Sequence, residues 1–199
     1  MRFMLAAIAF GTLSACASVP PNSLNAEQRA SVKVSEVKVT FADSFKVPNM
    51  TTRMRFFEKY KAEYPELVAA DTESDGGAKR GKLTKEYVSV ALREEILQAF
   101  SKGPSGPRAT EIALSVNSMQ LTGMMTTLLV KANSVGADAS FFDPATSKKL
   151  GAYDNIVAFN GGPGGVVSVA LEAATKGGPA DDAAEAYARE LFMRFNRAN

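Results

Sequence analysis

Residues 128–159 read LLVKANSVGADASFFDPATSKKLGAYDNIVAF, two apolar-rich runs either side of Asp143-Pro144-Ala145-Thr146-Ser147. Those five central residues are turn formers. Proline presets φ, and Asp, Thr and Ser can fold their side chains onto nearby backbone. Leu128 to Phe142 and Leu150 to Phe159 are therefore predicted as neighbouring strands joined in a hairpin, with Gly136 the one interruption in the first.

Working outward from the hairpin, Arg108 to Leu121 alternates Ile112, Leu114 and Val116 with polar residues, the period of a half-buried strand. Gly123-Met124-Met125 reads as a turn or a loose edge. Before that strand, Val88, Leu92, Ile96 and Phe100 recur every fourth residue, which predicts a helix over Lys85 to Lys102 capped by Thr84 and stopped by Gly103-Pro104. Val32, Val34, Val37, Val39 and Phe41 form the first strand, with a phase slip near Ser35-Glu36 that suggests a bulge.

Ala42 to Lys82 is the least patterned part. A short helix within Thr51 to Ala70, ended before Pro65, is expected, followed by a polar loop from Asp71 to Lys82. Downstream, Asn160 to Gly165 (NGGPGG) is expected to end the sheet. A short helix over Val166 to Thr175 and a break at Gly177-Gly178-Pro179 follow. A final helix starts at Asp181 or Asp182, with Glu185 as capping-box partner and Ala184, Tyr187, Ala188, Leu191, Phe192 and Phe195 as its apolar face. Strands joined mostly by turns, with two long helices, predict an α+β fold. It is a mainly antiparallel sheet of about four strands with both long helices packed on one face.

Composition removes several kinds of chemistry. The chain has 199 residues with no His, no Trp and one Cys. Without His there is no Ser-His or Cys-His nucleophile pair and no imidazole metal ligand. One Cys allows no internal disulfide. Lys+Arg is 23 and Asp+Glu is 21, far from the concentrated basic surface of a nucleic-acid binder. No cofactor, metal site or nucleic-acid partner is expected.

The single Cys lies in the opening MRFMLAAIAFGTLSACAS. Arg2 supplies a positive start, and Phe3 to Leu13 is an apolar run of signal-peptide length, too short to span a bilayer. Leu13-Ser14-Ala15-Cys16 resembles the lipobox of bacterial lipoproteins at every position. That resemblance implies cleavage before Cys16, acylation of its thiol and anchoring by acyl chains. Ala17 stands where many inner-membrane lipoproteins carry Asp, which implies sorting to the outer membrane, facing the periplasm. The expected organisation is a signal peptide over 1–15, a lipidated N-terminus and flexible tether over 16–30, and one α+β domain over 31–199. From Val32 onward the layout also resembles a loose group of small envelope lipoproteins whose domains have no assigned activity. The shared elements are the Val-rich strand, the Val88-Leu92-Ile96 helix face, the Asp143–Gly151 hairpin, the Gly-rich passage from Gly161 to Gly178 and the Ala-rich last helix. Ala42 to Lys82 departs from it as a long insertion.

Three groups of residues carry candidate surfaces or chemistry. Asp138 and Asp143 stand near the end of one strand and could form an acid–base pair if a fold separated their pKa values. The bland alternative makes Asp143 a turn opener and leaves Asp138 in water. Gly161, Gly162, Gly164 and Gly165 lack the spacing of a nucleotide-binding loop, so they read as a connector or a partner surface. Arg53, Arg55, Lys59 and Lys61 interleave with Met54, Phe56, Phe57 and Tyr60. They read either as a basic face on anionic lipid or as solvated charges around core aromatics. The preferred expectation is a non-enzymatic outer-membrane lipoprotein that binds or supports another envelope component. Its contacts are the membrane through its acyl chains and an unidentified envelope protein, with the oligomeric state left open. The alternatives are an auxiliary lipoprotein of a lipid or solute transport system that binds a hydrophobic ligand, and a carboxylate-based periplasmic hydrolase.

Overall fold

The computed structural model describes residues 23–46, 77–103, 105–121, 130–163 and 179–197. The elements are α1 (Ala26–Ser31), β1 (Val32–Phe41), α2 (Gly77–Ser101), β2 (Arg108–Gln120), β3 (Val130–Asp143), β4 (Lys148–Pro163) and α3 (Pro179–Asn196). The four strands form one sheet in the order β1-β2-β3-β4. Helix α2 packs on β1 and α3, and α3 packs on β3 and β4, so both long helices lie on one face.

The expectation of a mainly antiparallel sheet holds for two of the three strand pairs. β2–β3 and β3–β4 are antiparallel, but β1–β2 is parallel, so the sheet is mixed. The reason is the crossover. A strand that leaves the sheet, runs through a helix on one face and returns beside itself must re-enter in its original direction. The order β1, α2, β2 is that unit.

Side-chain alternation places the core between the layers. Ile112, Leu114 and Val116 from β2, and Val135, Ala137, Ala139 and Phe141 from β3, are all buried under the helices. From α2 come Val88, Ala91, Leu92, Ile96 and Phe100, and from α3 Ala183, Ala184, Tyr187, Ala188, Leu191 and Phe195. The alanines of α3 let that helix approach the sheet closely. Aromatics fill the end of the layer. Phe100 meets Phe195 edge-on at 5.1 Å, and Phe195 stacks on Phe141 at 5.7 Å. Each such pair contributes about 0.5–1.5 kcal/mol beyond its buried area. The Tyr187 hydroxyl donates to the Ala137 carbonyl at 3.3 Å, and burial raises its pKa well above the ordinary tyrosine value.

Other boundaries also differ from expectation. Thr84 is not a cap. It is buried inside α2, which starts at Gly77 and takes in the second half of the segment expected to be a polar loop. Glycine in a helix costs roughly 1 kcal/mol, little enough for packing further along to override. α3 starts at Pro179, a good first helical residue because its missing N–H has no partner there in any case. Asp181 and Asp182 thus sit in the first turn, where negative charge suits the helix dipole, rather than at the cap. β4 continues through Gly161 and Gly162, which pair with Ala132 and Lys131, to Pro163. The hairpin partner supplies the backbone bonds that these residues' own strand propensity would not predict.

The end of the segment expected as tether is folded. Asn25 and Gln28 form a reciprocal capping box, each side chain meeting the other's backbone N–H at 2.8 Å. Leu24 is fully buried, and Gln28 Nε2 donates to the Leu150 carbonyl at 3.3 Å, so α1 closes one end of the layer. Gly106 makes that closure possible. Its N–H donates to the Val32 carbonyl, and a Cβ there would lie 2.2 Å from the Ser31 backbone. The bulge expected near Ser35-Glu36 is present as a register shift between Val34 and Glu36.

Candidate functional site

The two carboxylates proposed from sequence are separated and already engaged. They stand five positions apart on β3, about 16 Å along an extended strand. Asp138 lies where the β3–β4 register slips. Its Oδ1 accepts from the Asn155 N–H at 2.7 Å and its Oδ2 from Asn117 Nδ2 at 3.0 Å. Asn155 has φ 51°, in the left-handed region, so Asp138 pins a bulge that needs an unusual backbone. Asp143 Oδ1 accepts from the N–H groups of Ala145 and Thr146, which makes it the opener of the hairpin turn. The geometry therefore brings no carboxylate pair together at this place. Among the described residues no group of three or more potential metal-ligating side chains occurs.

Gly161 and Gly162 lie within β4 as strand residues rather than as a loop around an anion. Gly164, Gly165, Arg53, Arg55, Lys59, Lys61 and Cys16 lie outside the described residues. Among the described residues no helix is long and apolar enough to cross a membrane.

The feature with most interaction potential was not singled out from sequence. β4 is an edge strand. Ile156 and Ala158 are buried under α3, and Val157 and Phe159, pointing the other way, are 47% and 63% exposed. Met193 on α3 is 42% exposed. The groove between strand and helix is lined by Val157, Ala158, Phe159, Arg189, Glu190 and Met193 and has a volume of about 260 Å³. Glu190 holds Arg194 at 2.8 Å, whereas Arg189 has no ion-pair partner among the described residues. The signal in the sequence was the unbroken run Ile156-Val157-Ala158-Phe159. A half-buried edge strand should alternate apolar with polar, and this stretch is apolar on both faces.

No family model matches the chain, and no curated protein matches it. Among solved structures, a Caulobacter crescentus protein described as a "putative lipoprotein" is similar at 17% identity, with a TM-score of 0.36. The similarity spans 54% of this chain and 80% of that one. Likeness at this level carries no conclusion about fold or function.

Proposed function

We propose that this chain is an outer-membrane lipoprotein, anchored through acylated Cys16 and facing the periplasm. Its domain is non-enzymatic and works by docking to another envelope component. The observation that carries the reading is the placement of the chain's only Cys at the fourth position of Leu13-Ser14-Ala15-Cys16, after an apolar run of signal-peptide length. Acyl chains hold a protein at a bilayer by about 0.8 kcal/mol per buried CH₂, so several chains make a lasting anchor.

The exposed edge of β4 with Val157 and Phe159, flanked by Met193, supports docking as the domain's activity. A groove of about 260 Å³ is below the ~300–1,000 Å³ usual for small-molecule pockets. It therefore favours a surface that meets another macromolecule over a pocket that encloses a hydrophobic ligand.

Metabolic labelling with a palmitate analogue tests the anchor. Wild-type protein should take up label and fractionate with the outer membrane, and Cys16→Ala should lose both properties. Unlabelled wild-type protein that keeps Met1, or that fractionates with the soluble periplasm, would overturn the reading.

A further inference from the structure

We infer that the β4 edge is a self-association surface, whose occupant is a second copy of this chain paired antiparallel about a two-fold axis at Ala158. This rests on the reading of that edge as a docking surface and names its partner.

Four observations converge on the assignment. The first is that the edge is open among the described residues. The sheet ends at β4, and among the described residues no strand pairs with its outer side. The second is that the only large apolar side chains exposed on β4 among the described residues are Val157 and Phe159, one on either side of Ala158. A two-fold at Ala158 sets Val157 of each copy directly opposite Phe159 of the other. That makes two equivalent cross-strand pairs of a β-branched and an aromatic residue, a favoured combination. An isologous interface needs this kind of self-complementarity, and C2 is the commonest oligomer symmetry.

The third observation is charge. The stretch from Ile156 to Asn160 contains no charged residue, so pairing it with itself brings no like charges together. The limits of the stretch are built in. The bulge at Asp154-Asn155, pinned by Asp138, ends regular pairing on one side. On the other side the strand runs out at Pro163, a residue that suits only the edge of a sheet. Shifting the axis four positions towards the hairpin would set Asp154 against its own copy, so the register is selected by repulsion as well as attraction. The fourth lies on α3. Arg189, with no ion-pair partner among the described residues, and the acidic Glu190 sit side by side in the groove. A patch that carries both signs of charge can meet its own copy across a two-fold without setting only like charges together.

The test uses the full-length protein extracted in mild detergent. Light scattering coupled to size exclusion should give the protein mass of two copies at micromolar concentration. A Val157→Lys/Phe159→Lys chain should give half that mass with an unchanged circular dichroism spectrum, because both side chains are exposed. Wild-type protein with the mass of one copy, or a two-copy mass that survives the double substitution, overturns the proposal.

In cells, a photo-cross-linking residue at position 159 separates this inference from the broader one. An adduct with a second copy supports it. An adduct with a different protein only overturns self-pairing and leaves the edge as a docking surface. Absence of any adduct overturns both.

Discussion

The two edges of the sheet are built differently. β1 is defended. Its outward-facing positions carry Lys33, Glu36 and Lys38, and a bulge between Val34 and Glu36 breaks the regular ladder. Lys38 donates to Glu111 on β2 and lies near Glu36, and its hydrogen bond to Glu111 holds its ammonium pKa above the ordinary lysine value. Charged side chains and bulges keep an edge from recruiting a stray strand. β4 has a bulge too, but beyond it the strand continues as Ile156-Val157-Ala158-Phe159 with no charge. A fold that protects one edge and leaves the other apolar treats the second as a place for contact. The contrast also extends inward. The start of β1 is locked by close-packed Gly106, whereas the large residues at the centre of the β4 edge face solvent.

Substitutions can strain or refine that contrast. The largest effect is expected for Leu24→Ala, which empties a fully buried site beneath α1. Urea unfolding should show a loss of about 2–5 kcal/mol. Phe159→Ala on the exposed β4 edge should stay within roughly 0.5 kcal/mol under conditions where the chain is a single copy. Equal losses at the two positions would remove the distinction.

Gly106→Ala comes next. Its new methyl must displace the Ser31 backbone, and overpacking of this kind costs about 1–3 kcal/mol, readable as a lowered melting temperature. Tyr187→Phe removes one buried hydrogen bond, at a cost of about 0.5–1.5 kcal/mol at neutral pH. It should also change the alkaline limb of stability. Burial raises the native pKa of this hydroxyl, so its contribution is intact below the ordinary tyrosine value of 10.0 and declines as pH rises above it. Denaturant titrations from pH 9 to 11 should show a shallower decline in Tyr187→Phe than in wild type. The smallest effect belongs to Lys38→Ala. Exposed ion pairs contribute little, and the difference should fade in high salt. Its informative readout is association, since Lys38→Val would make the defended edge resemble the open one and should raise self-association through β1.

Much of the fold was legible because the core speaks in periods. The alternation of Ile112, Leu114 and Val116, the fourfold spacing from Val88 to Phe100, and the Asp143–Ser147 turn each point to one local structure, and each occurs where expected. What stayed hidden depended on contacts between distant parts of the chain. The parallel β1–β2 pair follows from the crossover through α2, a fact of topology that neither strand's own pattern records. Gly161 and Gly162 read as breakers, yet β3 opposite them supplies a complete backbone partner. Leu24 seemed to belong to a linker because a single leucine among polar residues has no period to betray its burial.

The site was less legible. Asp138 drew notice as a possible acid, but its task is to hold Asn155 in a left-handed turn, a demand visible only once the register is known. The exposed pair on β4 was discernible as a run without alternation. Its meaning required knowing that this strand is outermost.

The capping box at Asn25 and Gln28 bears on how the domain is displayed. By fixing the body of the protein as far forward as Leu24, it leaves a leash of at most about 28 Å from Cys16. Under the proposed anchoring, such a leash confines neighbouring molecules to a thin layer above the lipid. Two open edges then search for one another in a plane rather than a volume, and weak pairing can be populated at modest copy number.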